Sequence, residues 1–399
     1  MTSLEHEAAD LHQPISAGII AALVGYTSSF AVVLTGLTAV GATPRQAASA
    51  LLALCVTQGL AMIWLTRRYR IPIVLAWSTP GAALLAGTHS VRGGWSAVVG
   101  AFLIVGVAYV VTGLWPALGR IIARIPAPVA QAMLAGVLLE LCLAPVTAVV
   151  DNPAAIIPIA LTWLLGVRFA PRWAVPAAFA MAGIVIVIDL ARRGEGIAAA
   201  SLVPELSLTT PAWTWSAVVG IAIPLFIVTM ASQNVPGVAI MKSFGYDVPW
   251  RPTIVTAGAA TVVGAAAGGH SVNLAAISAA LAAGPAAGPD TKRRWIAAHT
   301  AAWTYLVLGA FSAALAALVT VAPRGVIATV AGLALLSTLA DALEGSVRHR
   351  KGREAAVVTF LVAASGITAL GIGSAFWAVV AGLVVHAVLD WHPKRGPLA

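Results

Sequence analysis

The chain has 399 residues, of which 60% are hydrophobic and 9% are charged. A soluble domain carries about 25% charged residues, so this composition excludes a soluble globular protein and predicts an integral membrane protein. The formal net charge of +9 would suggest a nucleic-acid partner in a soluble protein. Here the loops that flank apolar segments hold most of the basic residues, so we expect the partner to be a lipid bilayer and no nucleic acid to bind.

The sequence also argues against an enzyme, a cofactor and a metal centre. Cys55 and Cys142 both lie inside apolar segments and suggest neither a disulfide framework nor a metal site. The chain has no HExxH, no GxSxG and no nucleotide-binding loop. Residues 1–13 are polar and carry acidic side chains, so we expect no cleavable signal peptide there.

Charged residues and Pro and Gly clusters divide the chain into fourteen predicted apolar segments. Their approximate ranges are 14–41, 46–66, 72–88, 95–117, 127–150, 153–168, 173–190, 212–241, 252–267, 270–283, 294–321, 325–345, 355–371 and 374–391. Several approach the ~20 residues that a spanning helix needs. Segments 3 and 10 are shorter and are interrupted.

The distribution of basic residues predicts the orientation in the membrane. With fourteen crossings and a cytoplasmic N-terminus, 18 of the 23 Lys and Arg residues lie on the cytoplasmic side and five on the other. The positive-inside rule expects such a bias. Because one segment more or fewer would scramble the alternation, the bias supports the number of segments and predicts that both termini are cytoplasmic.

The first interrupted segment reads IPIVLAWSTPGAALLAGT and begins at Ile71. Its first part, 71–77, is β-branched and aromatic and is predicted to be extended, whereas 82–86 is rich in helix formers. Ser78 or Thr79 can cap the helix that follows, with Pro80 in its first turn. Lipid cannot satisfy the free N–H groups of such a helix start, so it must face protein, water or a ligand. The helix N-terminus favours an anion.

The second interrupted segment occupies the corresponding place in the other half of the chain. It reads GGHSVNLA from Gly268, and Asn273 is predicted to cap a short helix over 274–283. Thr79 and Asn273 are 194 residues apart, and Phe30 of segment 1 is 196 residues from Phe226 of segment 8. Seven segments per half make the second half inverted. Short interrupted segments at matching places in inverted halves predict a transport site.

The whole chain resembles the benzoate/proton symporter family of bacterial inner membranes. The stretches that carry the resemblance are GYTSSF at 25–30, AWSTPGA at 76–82, SQNVPG at 232–237 and GHSVNLA at 269–275. That family is related to the uracil/proton symporters and to sulfate-type anion exchangers. The resemblance implies an all-α polytopic fold of 14 transmembrane segments in a 7+7 inverted repeat, with a short strand before each half-helix.

The resemblance also implies a division into domains. A core domain would comprise 14–117 and 212–321, and a gate domain 127–190 and 325–391, with cytoplasmic tails at 1–13 and 392–399. A homodimer through the gate domains is typical of this fold. Nucleobase symporters of the fold place acidic residues on segments 8 and 10, where this chain has none. This departure disfavours a nucleobase, is compatible with an anionic substrate and leaves the proton carrier open.

The predicted function is import of benzoate or a related aromatic carboxylate with protons by alternating access. An anion exchanger or an uncoupled organic-anion channel on the same fold is the alternative. The predicted substrate contacts are Tyr26, Thr27, Ser28, Trp77, Ser78, Thr79, Pro80, Gly81, Ser232, Gln233, Asn234, His270, Ser271, Val272 and Asn273. No arginine or lysine lies mid-span at either break, so helix N-termini and polar side chains would meet the charge of the substrate.

Several of these residues have a structural alternative. Gln233 and Asn234 bind substrate or hydrogen-bond a neighbouring helix or the backbone freed by Pro236. Trp77 lines the pocket, where it can stack on a ring, or is an interfacial anchor, for which its place in the segment is deep. His270 carries the proton, because its ordinary pKa is about 6.5, or is a cap or an interfacial residue at the outer mouth.

Glu140 is the second candidate for proton coupling. It is the one acidic residue deep in a predicted span, and intramembrane carboxylates are costly and usually functional. It falls in the gate domain, so an internal hydrogen bond of the protonated form is the alternative. Asp341 and Glu344 lie near the cytoplasmic end of segment 12, close in sequence to Arg348 and Arg350, and are expected to be neutralised there.

Overall fold

The computed structural model describes residues 3–88, 91–115, 126–196, 202–275, 277–348, 350, 352–370 and 372–389. The described chain is predominantly helical. Its first half contains, in order, α1 (Ser3–Thr27), α2 (Phe30–Ala39), α3 (Pro44–Tyr69), β1 (Leu75–Trp77), α4 (Thr79–Ala86), α5 (Gly94–Leu114), α6 (Ala127–Asp151), α7 (Pro153–Phe169) and α8 (Ala174–Arg193).

The second half begins with α9, a continuous helical run over Trp215–Ser243 that contains π-helical turns at Val218–Ala222 and Met230–Asn234. The following elements are α10 (Trp250–Ala265), β2 (Val272–Leu274), α11 (Ile277–Ala283), α12 (Trp295–Gly309), α13 (Ser312–Val321), α14 (Val326–Val347), α15 (Arg353–Ala364), β3 (Thr368–Ala369), β4 (Ile372–Gly373) and α16 (Ser374–Leu389).

Each of the fourteen predicted segments overlaps at least one of these helices. Among the described residues, 7 helical stretches are long and apolar enough to cross a membrane. The helices α12 and α13 meet at 54°, and the number of spans rises to 8 if this pair is counted as one bent span. The helices α7 and α16 are apolar but shorter. The chain is therefore a polytopic helical membrane protein, and the number fourteen stays a prediction.

Local sequence sets the boundaries of some helices, as at the start of α3. The Thr43 hydroxyl accepts a hydrogen bond from the backbone N–H of Gln46, and the Gln46 side chain accepts one from the backbone N–H of Thr43. Pro44 follows at the first helical position, where its missing N–H costs nothing. At the other end Arg70 takes a left-handed conformation, with φ of 53°, and ends the helix.

Glycine brings α5 and α10 into close contact. A Cβ on Gly258 would lie 2.7 Å from the carbonyl oxygen of Gly106, and a Cβ on Gly106 would lie 2.8 Å from the backbone nitrogen of Val262. Both distances are shorter than a carbon contact allows, so neither position accepts a larger residue without a shift of the backbone. Small residues at such contacts allow membrane helices to pack without a hydrophobic driving force.

The helix contacts follow a pattern. In one set, α3 and α1 pack against α12, α5 packs against α10, and α2 packs against α4. In another, α6 packs against α14 and α15, and α15 packs against α16. The short helix α4 also touches α6, which connects the two sets.

The two helix breaks meet in an antiparallel strand pair. The strand Leu75–Trp77 lies opposite Val272–Leu274, with Ala76 facing Asn273. A hydrogen bond of 2.9 Å from the backbone N–H of Ser78 to the carbonyl of Ser271 continues the pairing. Each break therefore supplies hydrogen-bond partners that lipid cannot offer to the backbone of the other. The predicted strands before the half-helices are confirmed.

The prediction that Asn273 caps a helix over 274–283 is wrong. Asn273 lies within β2, its side-chain amide donates to the carbonyl of Leu274 at 2.8 Å, and α11 begins only at Ile277. Pairing with β1 keeps the backbone of this stretch extended, so the helix starts after the strand has ended. As a result α4 and α11 begin 198 residues apart, and 271–273 is not a half-helix start.

Candidate functional site

Ser78 sits at the start of α4, where the first break turns from strand into helix. Its hydroxyl oxygen accepts a hydrogen bond of 3.0 Å from the backbone N–H of Gly81, and Pro80 lies in the first turn. The predicted cap is therefore confirmed, with Ser78 rather than Thr79 in that role. Ser78 is fully buried, whereas Thr79 is half-buried and its hydroxyl has no hydrogen-bond partner among the described residues.

Gly81 allows α9 to approach this helix start. A Cβ on Gly81 would lie 2.3 Å from Cδ1 of Leu225 and 2.8 Å from the Ser78 hydroxyl oxygen. A side chain at position 81 would therefore push against α9 and against the cap at once.

A cluster of buried hydroxyl groups joins the two breaks to the helices around them. The Ser78 and Thr229 hydroxyl oxygens are 2.7 Å apart, and the Ser271 hydroxyl donates to that of Thr229 at 3.4 Å. The Tyr109 hydroxyl lies 3.1 Å from that of Ser271. These four residues, which we call the hydroxyl cluster, come from α4, α9, the residue before β2 and α5. Sequence analysis found Ser78 and Ser271 but missed Tyr109 and Thr229.

One signal for Thr229 was available in the sequence. It lies four residues before Gln233, one helical turn away, and therefore on the same side of an apolar helix as a predicted contact. Tyr109 has no comparable local signal, because the hydroxyl that it contacts belongs to Ser271, which is 162 residues away.

His270 adds a further link between the breaks. It is fully buried, and its Nε2–H donates to the backbone carbonyl of Ser78 at 3.1 Å. Its Nδ1 is buried and has no partner among the described residues. The ring of Phe102 lies 6.2 Å from the imidazole. His270 thus lies in the protein interior. Its role as the proton carrier and the alternatives of a cap or an interfacial residue stay predictions.

The two asparagines hold the backbone of β2. The Asn234 side-chain oxygen accepts a hydrogen bond of 2.9 Å from the backbone N–H of Leu274, and its amide donates to the sulfur of Met230. Asn234 and Asn273 are both fully buried, and the side-chain oxygen of Asn273 has no partner among the described residues. For Asn234 the geometry favours the structural alternative. Gln233, the neighbouring residue, is half-buried, and its side-chain amide has no partner among the described residues.

Aromatic residues pack against the side of the first break that faces the protein interior. The Trp77 indole N–H donates to the Ser29 hydroxyl at 2.8 Å, and its ring lies 5.4 Å from Tyr26 and 5.9 Å from Tyr305 in edge-on contacts. Trp77 and Tyr26 are each 2% exposed. In this conformation Trp77 and Tyr26 therefore support β1 from inside rather than present a free ring face.

The remaining predicted contacts on α1 and α9 are half-buried. The hydroxyl groups of Thr27, Ser28 and Ser232 donate to carbonyls of their own helices, at 2.7, 3.1 and 2.6 Å. Each of these hydroxyl oxygens can still accept a hydrogen bond, but its proton is already donated within the helix. Ser232 and Gln233 lie in the π-helical turn Met230–Asn234, and such turns recur at functional sites. Val272, the last predicted contact, is buried in β2.

The two half-helices are held from opposite ends. Ser78 caps the N-terminus of α4, whereas Arg294 closes the C-terminus of α11. The buried Arg294 guanidinium donates to the carbonyls of Ala283 at 2.7 Å and of Gly288 at 2.8 Å. A cation at a helix C-terminus offsets the negative end of the helix dipole. Sequence analysis counted Arg294 only among the cytoplasmic charges.

Glu140 lies apart from this cluster. It lines a small pocket whose walls come from α4, α6, α9 and the chain from α15 to α16. Glu140 is exposed, and its side chain has no hydrogen-bond or ionic partner among the described residues. The alternative role, an internal hydrogen bond of the protonated form, has no partner within those residues. The hydroxyl groups of Thr88 and Ser374 also line the pocket, and each already donates its proton to a nearby backbone carbonyl.

Comparison with known proteins gives a consistent result. Residues 9–388 match the family described as benzoate membrane transport protein. The chain is 40% identical over 377 residues to the inner membrane protein YdcO of Escherichia coli, covering 94% of this chain and 95% of that protein. It is 28% identical over 373 residues to the benzoate membrane transport protein of Acinetobacter baylyi, covering 94% of each chain.

The fold also matches solved structures. The transmembrane domain of the cyanobacterial bicarbonate transporter BicA superposes with a TM-score of 0.60 at 16% sequence identity, over 94% of this chain and 97% of that domain. At this identity the match establishes a shared fold and says nothing about the substrate.

Proposed function

The chain belongs to the benzoate membrane transport protein family, a family of transporters rather than enzymes, and we propose that it imports benzoate or a related aromatic carboxylate together with protons. The observation that carries the proposal is the pairing of the two helix breaks. Irregular backbone inside a membrane protein is tolerated where it is buried or lines a ligand cavity, and paired breaks mark the site in secondary transporters. We also propose the bacterial inner membrane as its location, with both termini cytoplasmic; the name of the Escherichia coli relative supports the membrane.

The helix contacts support the proposed inverted repeat. If the first seven segments exchange places with the last seven, α5 against α10 becomes α12 against α3, and both contacts are present. The contact between α6 and α14 maps onto itself. We therefore propose a 7+7 repeat of fourteen spans.

The same contacts support the proposed domains. A core of 14–117 and 212–321 would move past a gate of 127–190 and 325–391, and the contact of α4 with α6 would lie at their boundary. A homodimer through the gate domains stays a prediction.

In the proposed site, half-buried polar groups contact the substrate. Thr79 of α4 and Gln233 of α9, whose side-chain donors have no partner among the described residues, would bind its carboxylate. Thr27 at the end of α1, Ser28 after it and Ser232 of α9 would be secondary contacts. The fully buried predicted contacts would act by fixing these groups in place. They are Tyr26, Trp77, Ser78, Pro80, Gly81, Asn234, His270, Ser271, Val272 and Asn273.

A test of this site compares Thr79→Val with Thr304→Val, a half-buried threonine on α12. A hydrogen bond to a charged group is worth about 1.5–3 kcal/mol, so losing it raises the KM for benzoate by about 10- to 100-fold. Thr304→Val is expected to leave KM unchanged. Equal KM values for both variants would remove Thr79 from the site.

Proton coupling has two candidates that differ in access. Glu140 faces a pocket between the proposed domains, so protons reach it from water, whereas His270 is enclosed. In the proposal Glu140→Gln abolishes gradient-driven accumulation but preserves exchange of labelled for unlabelled benzoate. Gradient-driven accumulation by Glu140→Gln would leave His270 as the remaining candidate.

The decisive experiment is uptake of radiolabelled benzoate into proteoliposomes with and without an inward proton gradient. Accumulation above equilibrium that requires the gradient is expected. Saturable uptake that ignores the gradient would remove proton symport, and no uptake by folded protein would overturn the benzoate assignment.

An anion exchanger or uncoupled channel is the second candidate. The hydroxyl cluster and its surroundings favour this second candidate, because none of the described contacts of Ser78, Ser271 and His270 is with a carboxylate. Trans-stimulation of uptake by an internal anion would indicate exchange, and current that does not saturate would indicate a channel.

A further inference from the structure

Arginine and aromatic side chains gather where α3 ends and α12 begins. Trp64, Arg67, Arg68, Tyr69 and Arg70 belong to the last turns of α3 and its C-cap. Trp295, His299 and Trp303 follow at intervals of four residues along α12, on one side of the helix. We call these eight residues the basic edge.

Ring contacts hold the basic edge together. The guanidinium carbon of Arg70 lies 4.2 Å from the ring centre of Trp295, and that of Arg68 lies 5.4 Å from the ring of Tyr69. The rings of Tyr69 and Trp64 are 6.1 Å apart. Such cation–π contacts orient a guanidinium but leave most of its N–H donors free.

A hydrogen-bond chain fixes the exposed indole of Trp303. Its N–H donates to Nε2 of His299 at 3.3 Å, so Nδ1 of the neutral ring carries the proton and faces the Thr66 hydroxyl at 3.0 Å. That hydroxyl in turn donates to the carbonyl of Met62 at 2.6 Å. Trp303 is held in place although it is 51% exposed, and Trp64 is 49% exposed.

The charges of the basic edge are uncompensated. Arg67, Arg68 and Arg70 are exposed and have no carboxylate partner among the described residues. Some exposed arginines elsewhere do have a carboxylate partner, such as Arg45 with Glu205 at 2.7 Å and Arg193 with Asp189. Within the described residues, the basic edge therefore presents three guanidinium groups without a carboxylate partner beside two exposed indole rings.

We propose that the basic edge binds the phosphate headgroup of an anionic phospholipid. Tryptophan and tyrosine favour the membrane interface, and arginine beside them attracts anionic lipid. Trp303 lies eight residues along α12 from Trp295, about 12 Å at 1.5 Å per residue, which puts an exposed ring beside the acyl chains of a lipid whose headgroup is at the arginines. A soluble anion would make no use of these rings. The proposed orientation matters only for placing this lipid in the cytoplasmic leaflet. The lipid proposal does not depend on which substrate the protein transports.

The test measures retention of phosphatidylglycerol by native mass spectrometry of the full-length protein released from detergent. The variant Arg67→Gln/Arg68→Gln/Arg70→Gln is expected to retain this lipid at least about tenfold more weakly than the parent chain. The control Arg92→Gln/Arg192→Gln/Arg324→Gln removes the same charge from exposed positions on the other proposed side and is expected to retain it normally.

A second variant guards against a general effect of charge or folding. Trp303→Phe keeps the charge and the bulk but loses the indole N–H that bonds His299, and it is expected to weaken retention of phosphatidylglycerol without affecting phosphatidylcholine. Equal loss in both triple variants, or normal retention in the first, would overturn the proposal. Displacement of the lipid by millimolar inorganic phosphate would show a site for soluble anions instead. None of these outcomes depends on whether the protein takes up benzoate. The lipid proposal and the transport proposal can therefore fail independently of each other.

Discussion

Replacing Ser78 by alanine separates the local role of the cap from its role in the site. The change removes the N-cap of α4, worth about 1 kcal/mol, and a buried hydrogen bond to Thr229, worth about 1 kcal/mol. Ser78→Ala should therefore lower the free energy of unfolding by about 2 kcal/mol. It should also raise the KM for benzoate about tenfold, since the start of α4 loses its side-chain hydrogen bond to Thr229 of α9.

Thr43 offers a matched control, because its hydroxyl caps α3 by the same geometry at an exposed position far from both breaks. Thr43→Ala should cost about 1 kcal/mol and leave KM unchanged. The measurements are thermal unfolding in detergent, followed by tryptophan fluorescence, and concentration-dependent uptake in proteoliposomes. If both variants lower the unfolding midpoint equally and neither alters KM, then Ser78 is only a local cap and the reasoning is refuted.

Three further changes test the supports of the site. Arg294→Gln should lower the unfolding midpoint strongly, because the buried carbonyls of Ala283, at the end of α11, and of Gly288 beyond it lose charge-assisted partners worth about 1.5–3 kcal/mol each. Arg294→Lys should lie between this variant and the parent. Gly81→Ala should reduce uptake through its contact with Leu225, and adding Leu225→Ala should restore part of it; no restoration would place the clash elsewhere. Thr229→Val keeps the shape but breaks the hydroxyl cluster, so uptake should fall while Thr304→Val retains it.

The amino-acid sequence by itself determined the class of the protein and the position of its first break. Apolar runs need no partner to be recognised, and the Ser78–Pro80 cap is a local pattern whose hydrogen bond closes within three residues. The family resemblance then implied the strands before the half-helices. These features depend on neighbours in the chain, so their signal is present in the sequence.

The tertiary structure decided how the two breaks support each other. The bonds of Ser78 to Thr229 and of Asn234 to Leu274 join residues 151 and 40 positions apart, and no local pattern encodes such a partner. Asn273 was mistaken for a helix cap for the same reason: its residue type favours a cap, but pairing with Ala76, almost 200 residues away, keeps it in a strand. Inside a membrane protein, unpaired backbone must find a partner within the chain, and only the folded arrangement determines which one it finds.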